Sequence, residues 1–202
     1  MRHSNPDFAD ARVSLLGELN VEVQLAMRGW HPVRLDTAQM AANADLIGVN
    51  KTHRVCIQVK TTEAEGHSHA AALGFGYATN YLSSNAPIFN GKESALIADV
   101  VVAVHYRAER SRYVVLPVAF AERLCRMHGD YWGSLPKRDG SKRSASFPLY
   151  LHFDGKPGAH AEHKSMCQAN LTKFEDAWWV LSESIDKLHD PDAWPLLGAS
   201  RQ

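Results

Sequence analysis

Short apolar, β-branched stretches separated by polar residues and glycines recur along the chain and predict β-strands. Residues 44–49 and 54–61 are two of these stretches, and the polar residues 50–53 between them are typical of a hairpin connection. Residues 98–104 are almost continuously apolar, which predicts a strand buried on both faces. The other predicted strands are residues 30–35, residues 112–117, where Pro117 ends the strand, and residues 150–153 as an edge strand.

Helical patterns flank these strands. A helix is expected to begin at Pro6, after a cap at Ser4 or Asn5, and to run to about residue 28, with Gly29 as its stop. Residues 118–127 predict a short helix and residues 132–146 a polar loop. A closing helix is predicted over residues 174–188, with an apolar stripe of Phe174, Ala177, Trp178, Leu181 and Ile185. This succession of strands and helices predicts an α/β domain.

The first helix carries two carboxylates at unexpected positions. Its polar residues form one narrow arc, and Glu18 and Glu22 fall inside the wide apolar arc that should face the core. A carboxylate there either reaches the rim, forms a buried salt bridge or belongs to a functional site. The polar arc comprises Gly17, Asn20, Gln24 and Arg28, and the apolar arc comprises Leu15, Leu16, Leu19, Val21, Val23, Leu25, Ala26 and Met27.

Composition narrows the class of protein. At 202 residues, 45% apolar and 22% charged, the chain is expected to be a soluble protein with one domain over residues 1–190 and an extended tail over 191–202. Acidic and basic residues are equal in number, so the net charge does not indicate a nucleic-acid or membrane partner. No apolar run is long enough for a membrane span. The first residues lack the apolar core of a signal peptide, so a cytoplasmic location is expected. Three cysteines without CxxC spacing, Cys56, Cys125 and Cys167, indicate neither a disulfide framework nor a zinc knuckle.

Four polar residues next to the predicted hairpin suggest metal-assisted chemistry. Because side chains alternate along a strand, Gln58 and Lys60 should share one face of it. The Asp45 carboxylate and the Gln58 amide, together with the Val59 carbonyl, are oxygen ligands suited to Mg²⁺. Lys60 could activate water or neutralise a transition state, and Glu18 could bind a second ion directly or through water.

These residues resemble a known motif pattern. Gly17-Glu18, Asp45-Leu46-Ile47 and Gln58-Val59-Lys60-Thr61, with Asp45 and Gln58 thirteen positions apart, are similar to the PD-(D/E)XK (restriction-endonuclease-like) nuclease superfamily. More narrowly, they resemble the QxK branch that includes group I intron homing endonucleases and related uncharacterised bacterial proteins. The resemblance spans roughly residues 12–62, with Ala44 where many members have proline.

The resemblance implies a restriction-endonuclease-like core, with a mixed four- to five-stranded sheet flanked by helices. It also implies Mg²⁺-dependent cleavage of DNA, with Mn²⁺ able to substitute. It assigns Asp45 and Gln58 as metal ligands, Lys60 as the catalytic lysine and Glu18 as an outer acid. It also implies a dimer, since cutting two strands needs two sites. Gln58 removes one negative charge from the metal site, and some proteins of this fold have lost catalysis. Two alternatives therefore stay open: a non-catalytic DNA- or protein-binding module of this fold, for instance from a defence or mobile-element locus, and an interaction protein unrelated to DNA.

Two further groups of residues can be interpreted either as ordinary surface residues or as functional ones. Four basic residues in the polar loop could bind DNA backbone phosphates or form a solvated loop: Lys137, Arg138, Lys142 and Arg143. His67-x-His69 and His160-x-x-His163 have spacings compatible with a metal. No cysteine or acid joins either pair in a familiar pattern, so surface histidines in polar loops are the expectation.

Overall fold

The computed structural model describes residues 6–35, 44–63, 98–107, 109–136, 139–141 and 160–197. Within these ranges, strands occupy the middle of the chain and helices lie on both sides in sequence. The elements are α1 (Pro6–Met27), β1 (His31–Arg34), β2 (Leu46–Val49), β3 (Arg54–Thr62), β4 (Val100–His105), β5 (Arg112–Pro117), α2 (Val118–Gly133), α3 (Ala161–Thr172) and α4 (Ile185–His189). Two short 3₁₀ helices, Trp178–Ser182 and Pro191–Ala193, flank α4.

The described strands form one five-stranded sheet in the order β1-β2-β3-β4-β5. Neighbouring strands are antiparallel except β3 and β4, which run parallel with Ile57 opposite Val100. The predicted α/β fold with a mixed sheet is confirmed. The predicted edge strand over residues 150–153 lies outside the described residues.

The strands form where the apolar pattern predicted them. The connection between β2 and β3 is a tight turn, in which the Asn50 side chain accepts hydrogen bonds from the N–H groups of Thr52 and His53 at 2.9 and 2.7 Å. As predicted, β4 is buried on both faces, with Val100 to Val104 fully enclosed. Its place between β3 and β5 explains this burial, because helices can cover both of its faces.

The helix α1 has the predicted limits but not the predicted face. It ends before Gly29, whose φ of +79° is the left-handed conformation that favours glycine at a helix end. Its buried side comprises Gly17, Glu18, Val21 and Leu25. The expectation that the whole apolar arc faces the core is wrong, because Leu15, Leu19, Val23 and Met27 are 43–74% exposed.

The orientation of α1 is explained by one close contact between this helix and β3. A Cβ atom built on Gly17 would lie 1.7 Å from the Oγ1 atom of Thr61 on β3. The helix therefore approaches the strand along its glycine, closer than any larger side chain would permit. This contact, rather than the widest apolar arc, sets the rotation of α1 on the sheet.

The C-terminal third differs most from its prediction. The helix α2 continues to Gly133, six residues beyond the predicted end, and so takes in Trp132 from the predicted loop. The predicted single helix over residues 174–188 is wrong, because the chain forms a 3₁₀ helix, an extended step and then the short α4. Asp176, with φ of +50°, is incompatible with a continuous helix there. Ile185 is 43% exposed and does not extend the apolar stripe.

Residues 191–197 are not an extended appendage. The Trp194 side chain is buried, its ring lies 5.9 Å from that of Phe174, and its Nε1–H donates to the Lys187 carbonyl at 2.7 Å. The amide of the fully buried Asn170 then holds the backbone of Leu197, accepting from its N–H at 2.7 Å and donating to its carbonyl at 3.1 Å. This part of the predicted tail is therefore packed on the core.

Candidate active site

Asp45 occupies the start of β2, where three strands meet. Its backbone N–H donates to the Ile57 carbonyl at 2.9 Å, and its carbonyl accepts from Leu35 at 3.0 Å. Its carboxylate Oδ2 accepts from the Val59 N–H of β3 at 2.6 Å. The half-buried carboxylate thus takes the place of a strand partner and is fixed beside the Gln58-Val59-Lys60 backbone.

Strand alternation determines the side of the sheet that each neighbour occupies. Thr61 faces α1 across its contact with Gly17, so Gln58 and Lys60 project from the opposite face. Gln58 is buried and Lys60 is half-buried. Alternation thus assigns the two side chains to one face, on either side of the Val59 backbone that binds Asp45.

Glu18 approaches from the α1 side. It is buried, and its Oε2 lies 3.5 Å from Nη1 of Arg34 on β1. Glu22, one turn later, accepts from Nε of the same arginine at 2.7 Å. Both carboxylates of the apolar arc therefore share a salt bridge to Arg34, which gives Glu18 a structural role whether or not it also has a chemical one. Arg34 was not singled out from the sequence, where it is an ordinary basic residue of an edge strand.

The electrostatics of the site favour a cation. Desolvation raises the pKa of Glu18, and the charge of Asp45 raises it further, whereas Arg34 and Lys60 oppose the shift. Desolvation also raises the pKa of Asp45, against the Val59 hydrogen bond and the Lys60 charge. Both carboxylates are partly desolvated, so a bound cation would stabilise their ionised forms.

A second constellation was not predicted. The side chains of His128 on α2 and of His163 and Cys167 on α3 are buried, and their ligand atoms all lie within 4.8 Å of one another. The expectation that His163 is a surface residue in a polar loop is wrong, since His163 belongs to α3 and its side chain is buried. The i, i+4 spacing of His163 and Cys167 was the available signal, and it is meaningful only once the segment is known to be helical.

Several predicted residues lie outside the described ranges. These are the basic residues Lys137, Arg138, Lys142 and Arg143, and the histidines His67 and His69.

Comparisons with known proteins add no family. No protein-family model, curated protein or solved structure matches the chain. Among the helices in the described part of the chain, none is long and apolar enough to cross a membrane.

Proposed function

We propose that this protein is a Mg²⁺-dependent endonuclease that hydrolyses phosphodiester bonds of DNA. The observation that carries the proposal is the Asp45 carboxylate fixed at 2.6 Å on the Val59 N–H, between Gln58 and Lys60. This hydrogen bond holds the carboxylate beside the strand that carries the Gln58 amide and the Lys60 ammonium group, the three groups that the sequence resemblance assigns to the site.

The donor atoms suit Mg²⁺. Cys56 directs both backbone groups towards β4, where its N–H donates to the Asp99 carboxylate at 2.7 Å and its carbonyl accepts from Asp99 at 2.8 Å. Three positions later, alternation turns the N–H and carbonyl of Val59 towards β2 and Asp45. Asp45, the Val59 carbonyl and the Gln58 amide would thus hold the ion through oxygen atoms, which Mg²⁺ prefers. When bound, Mg²⁺ acts as a Lewis acid on the phosphate.

The protein's own groups supply the remaining chemistry. Lys60 neutralises negative charge that develops as water adds to phosphorus and the ester P–O bond breaks, and the departing oxygen takes a proton. The charge of Lys60 already reaches the Asp45 carboxylate, whose pKa it lowers against the dominant effect of burial. Glu18, held by Arg34 on the α1 side, would act as the outer acid that orients water or a second ion.

The test is cleavage of supercoiled plasmid and branched DNA with Mg²⁺ or Mn²⁺. The wild type should cut, and Asp45→Ala and Lys60→Ala should each lower the rate by about 10²-fold or more, as for loss of a group that stabilises transition-state charge. Lys51→Ala is the matched control, because this exposed lysine lies in the turn at the other end of the same hairpin.

The result that would overturn the proposal is a folded wild type that cuts none of these substrates with either ion. Salt-dependent DNA binding by that inactive protein would favour a binding module, for which the neutral Gln58 provides a reason. Cutting that persists in both Asp45→Ala and Lys60→Ala would mean that any nuclease centre lies elsewhere.

A further inference from the structure

The buried cluster of His128, His163 and Cys167 has the geometry of a metal site. His163 and Cys167 lie one turn apart on α3 and face His128 on α2. The Cys167 Sγ lies 3.6 Å from His128 Nδ1 and 3.7 Å from His163 Nε2. The two ring nitrogens are 2.9 Å apart. Three potential ligand atoms therefore form a small triangle between two helices.

The sides of this triangle can be compared with those around tetrahedral zinc. With Zn–N near 2.05 Å and Zn–S near 2.3 Å, a tetrahedral ion separates a nitrogen and a sulfur ligand by about 3.6 Å and two nitrogens by about 3.3 Å. Both sulfur–nitrogen distances, 3.6 and 3.7 Å, agree with the expected value. The nitrogen–nitrogen distance of 2.9 Å needs to open by only a few tenths of an ångström.

Burial and chemistry fit a metal as well. His128 and Cys167 are fully buried and His163 is 5% exposed, so three polar side chains occupy an interior that apolar residues would fill at lower cost. Burial lowers the pKa of His128 to about 3 and that of His163 to about 4, which keeps both imidazoles neutral, as ligands must be. A nitrogen and sulfur ligand set favours zinc over the hard ions that suit Asp45.

Neighbouring aromatic residues fix the His163 ring in place. Tyr131 stacks on His163 with centroids 3.6 Å apart and planes 7° apart, and Trp132 meets the same ring edge-on at 6.2 Å. The Tyr131 hydroxyl also lies 2.7 Å from His160 Nδ1 at the start of α3. An orientation fixed by packing is what a preorganised ligand requires.

We propose that His128, His163 and Cys167 bind one zinc ion that joins α2 to α3, with a water as the fourth ligand. Binding converts the Cys167 thiol to a thiolate and releases its proton to solvent. The site does not depend on the nuclease proposal, because its ligands and its ion differ from those at Asp45.

The direct test uses the full chain, produced without a histidine tag, stripped with chelator and then titrated with Zn²⁺ and, separately, Co²⁺. One zinc per chain, a rise in melting temperature and a thiolate-to-cobalt charge-transfer band are expected. Cys167→Ala should lose that band and bind zinc more than about 100-fold more weakly, since even loss of a residue that only supports a ligand costs 10–100-fold. Cys56→Ala, which removes a half-buried thiol on β3, should keep the band and the affinity.

Measurements on the wild type alone keep the test decisive if Cys167→Ala fails to fold. Absence of stoichiometric zinc together with absence of a thiolate–cobalt band in the folded wild type would overturn the proposal, and the cluster would then be a metal-free hydrogen-bonded group. A band that survives in folded Cys167→Ala would also overturn it, because the thiolate ligand would then be another cysteine.

Discussion

Replacing Gly17 by alanine should destabilise the protein, although alanine is the better helix former. The added Cβ would lie 1.7 Å from Oγ1, 2.7 Å from Cβ and 2.8 Å from Cγ2 of Thr61. Rotating Thr61 about χ1 cannot remove the overlap, because its Cβ does not move and would stay 2.7 Å from the added atom. The helix must therefore move away from the sheet.

The size of the effect follows from two opposing terms. Overpacking of a core costs about 1–3 kcal/mol, and an overlap as deep as this one should lie at the upper end, about 3 kcal/mol. Alanine regains about 1 kcal/mol through its helix propensity. The net loss is about 2 kcal/mol, which corresponds to a fall in melting temperature of about 4–8 °C for a chain of this size.

Urea unfolding followed by circular dichroism measures this loss as a lower midpoint at an unchanged slope. Thr61→Ala removes Oγ1 and Cγ2, which would both overlap the Cβ added at position 17. It also removes a buried hydroxyl that has no hydrogen-bond partner among the described residues. The double variant should therefore recover part of the stability that Gly17→Ala loses. Ser14→Ala, at an exposed position of the same helix, controls for propensity and should be neutral or slightly stabilising. A Gly17→Ala protein as stable as the wild type would refute the reasoning.

Two further predictions concern the candidate site and the C-terminal segment. In chelator, Asp45→Asn should be more stable than the wild type at pH 7, because the raised pKa of Asp45 means that its ionised form opposes folding, while the amide oxygen can still accept from Val59. The advantage should vanish below about pH 4, where the carboxyl is protonated in both folded and unfolded states. Trp194→Ala should cost about 3–5 kcal/mol, as for other buried tryptophans, and is measured by the same urea unfolding.

Each of these has a clear contrary outcome. Adding Mg²⁺ at 100 times its dissociation constant should stabilise the wild type by about 2.7 kcal/mol and Asp45→Asn much less. Equal stabilisation of both would remove Asp45 from the ligand set. Leu197→Ala, at a 54% exposed side chain, is the control for Trp194 and should change stability by less than about 0.5 kcal/mol. A Trp194→Ala protein no less stable than that control would mean that the segment does not contribute to the core.

The strands could be predicted because they are short, β-branched and bounded by polar turns. The juxtaposition of Asp45 with the Gln58-Val59-Lys60 stretch followed from the predicted hairpin, since adjacent antiparallel strands bring such residues together. The partner of Glu18 could not be predicted in the same way. Arg34 meets Glu18 because of the orientation that α1 takes on the sheet. That orientation depends on the close contact between Gly17 and Thr61, which are far apart in sequence.

The helix α3 could not be predicted either, for a different reason. Its buried residues are His163, Cys167, Asn170 and Leu171, of which only the last is a large apolar residue. A helix that buries polar side chains has no apolar period to detect, which is why the sequence predicts a polar loop around His160 and His163. Conversely, the apolar spacing of residues 174–188 imitated a helix that the chain does not form. Hydrophobic patterns therefore predicted the sheet well and the helices around the buried histidines poorly.

The parallel pairing of β3 with β4 has a consequence for the order in which the chain can fold. The other strand pairs are joined by shorter connections, whereas Asp99 and Cys56, which hydrogen-bond where β3 meets β4, are 43 residues apart. Closing a loop of that length costs about 3 kcal/mol of chain entropy before any contact is gained. The β1-β2-β3 meander and the β4-β5 hairpin can each form from local contacts, so we expect their union at Asp99 to be the slow step of folding. That same carboxylate lies 2.8 Å from His189 Nε2, so the step that completes the sheet also docks the C-terminal segment.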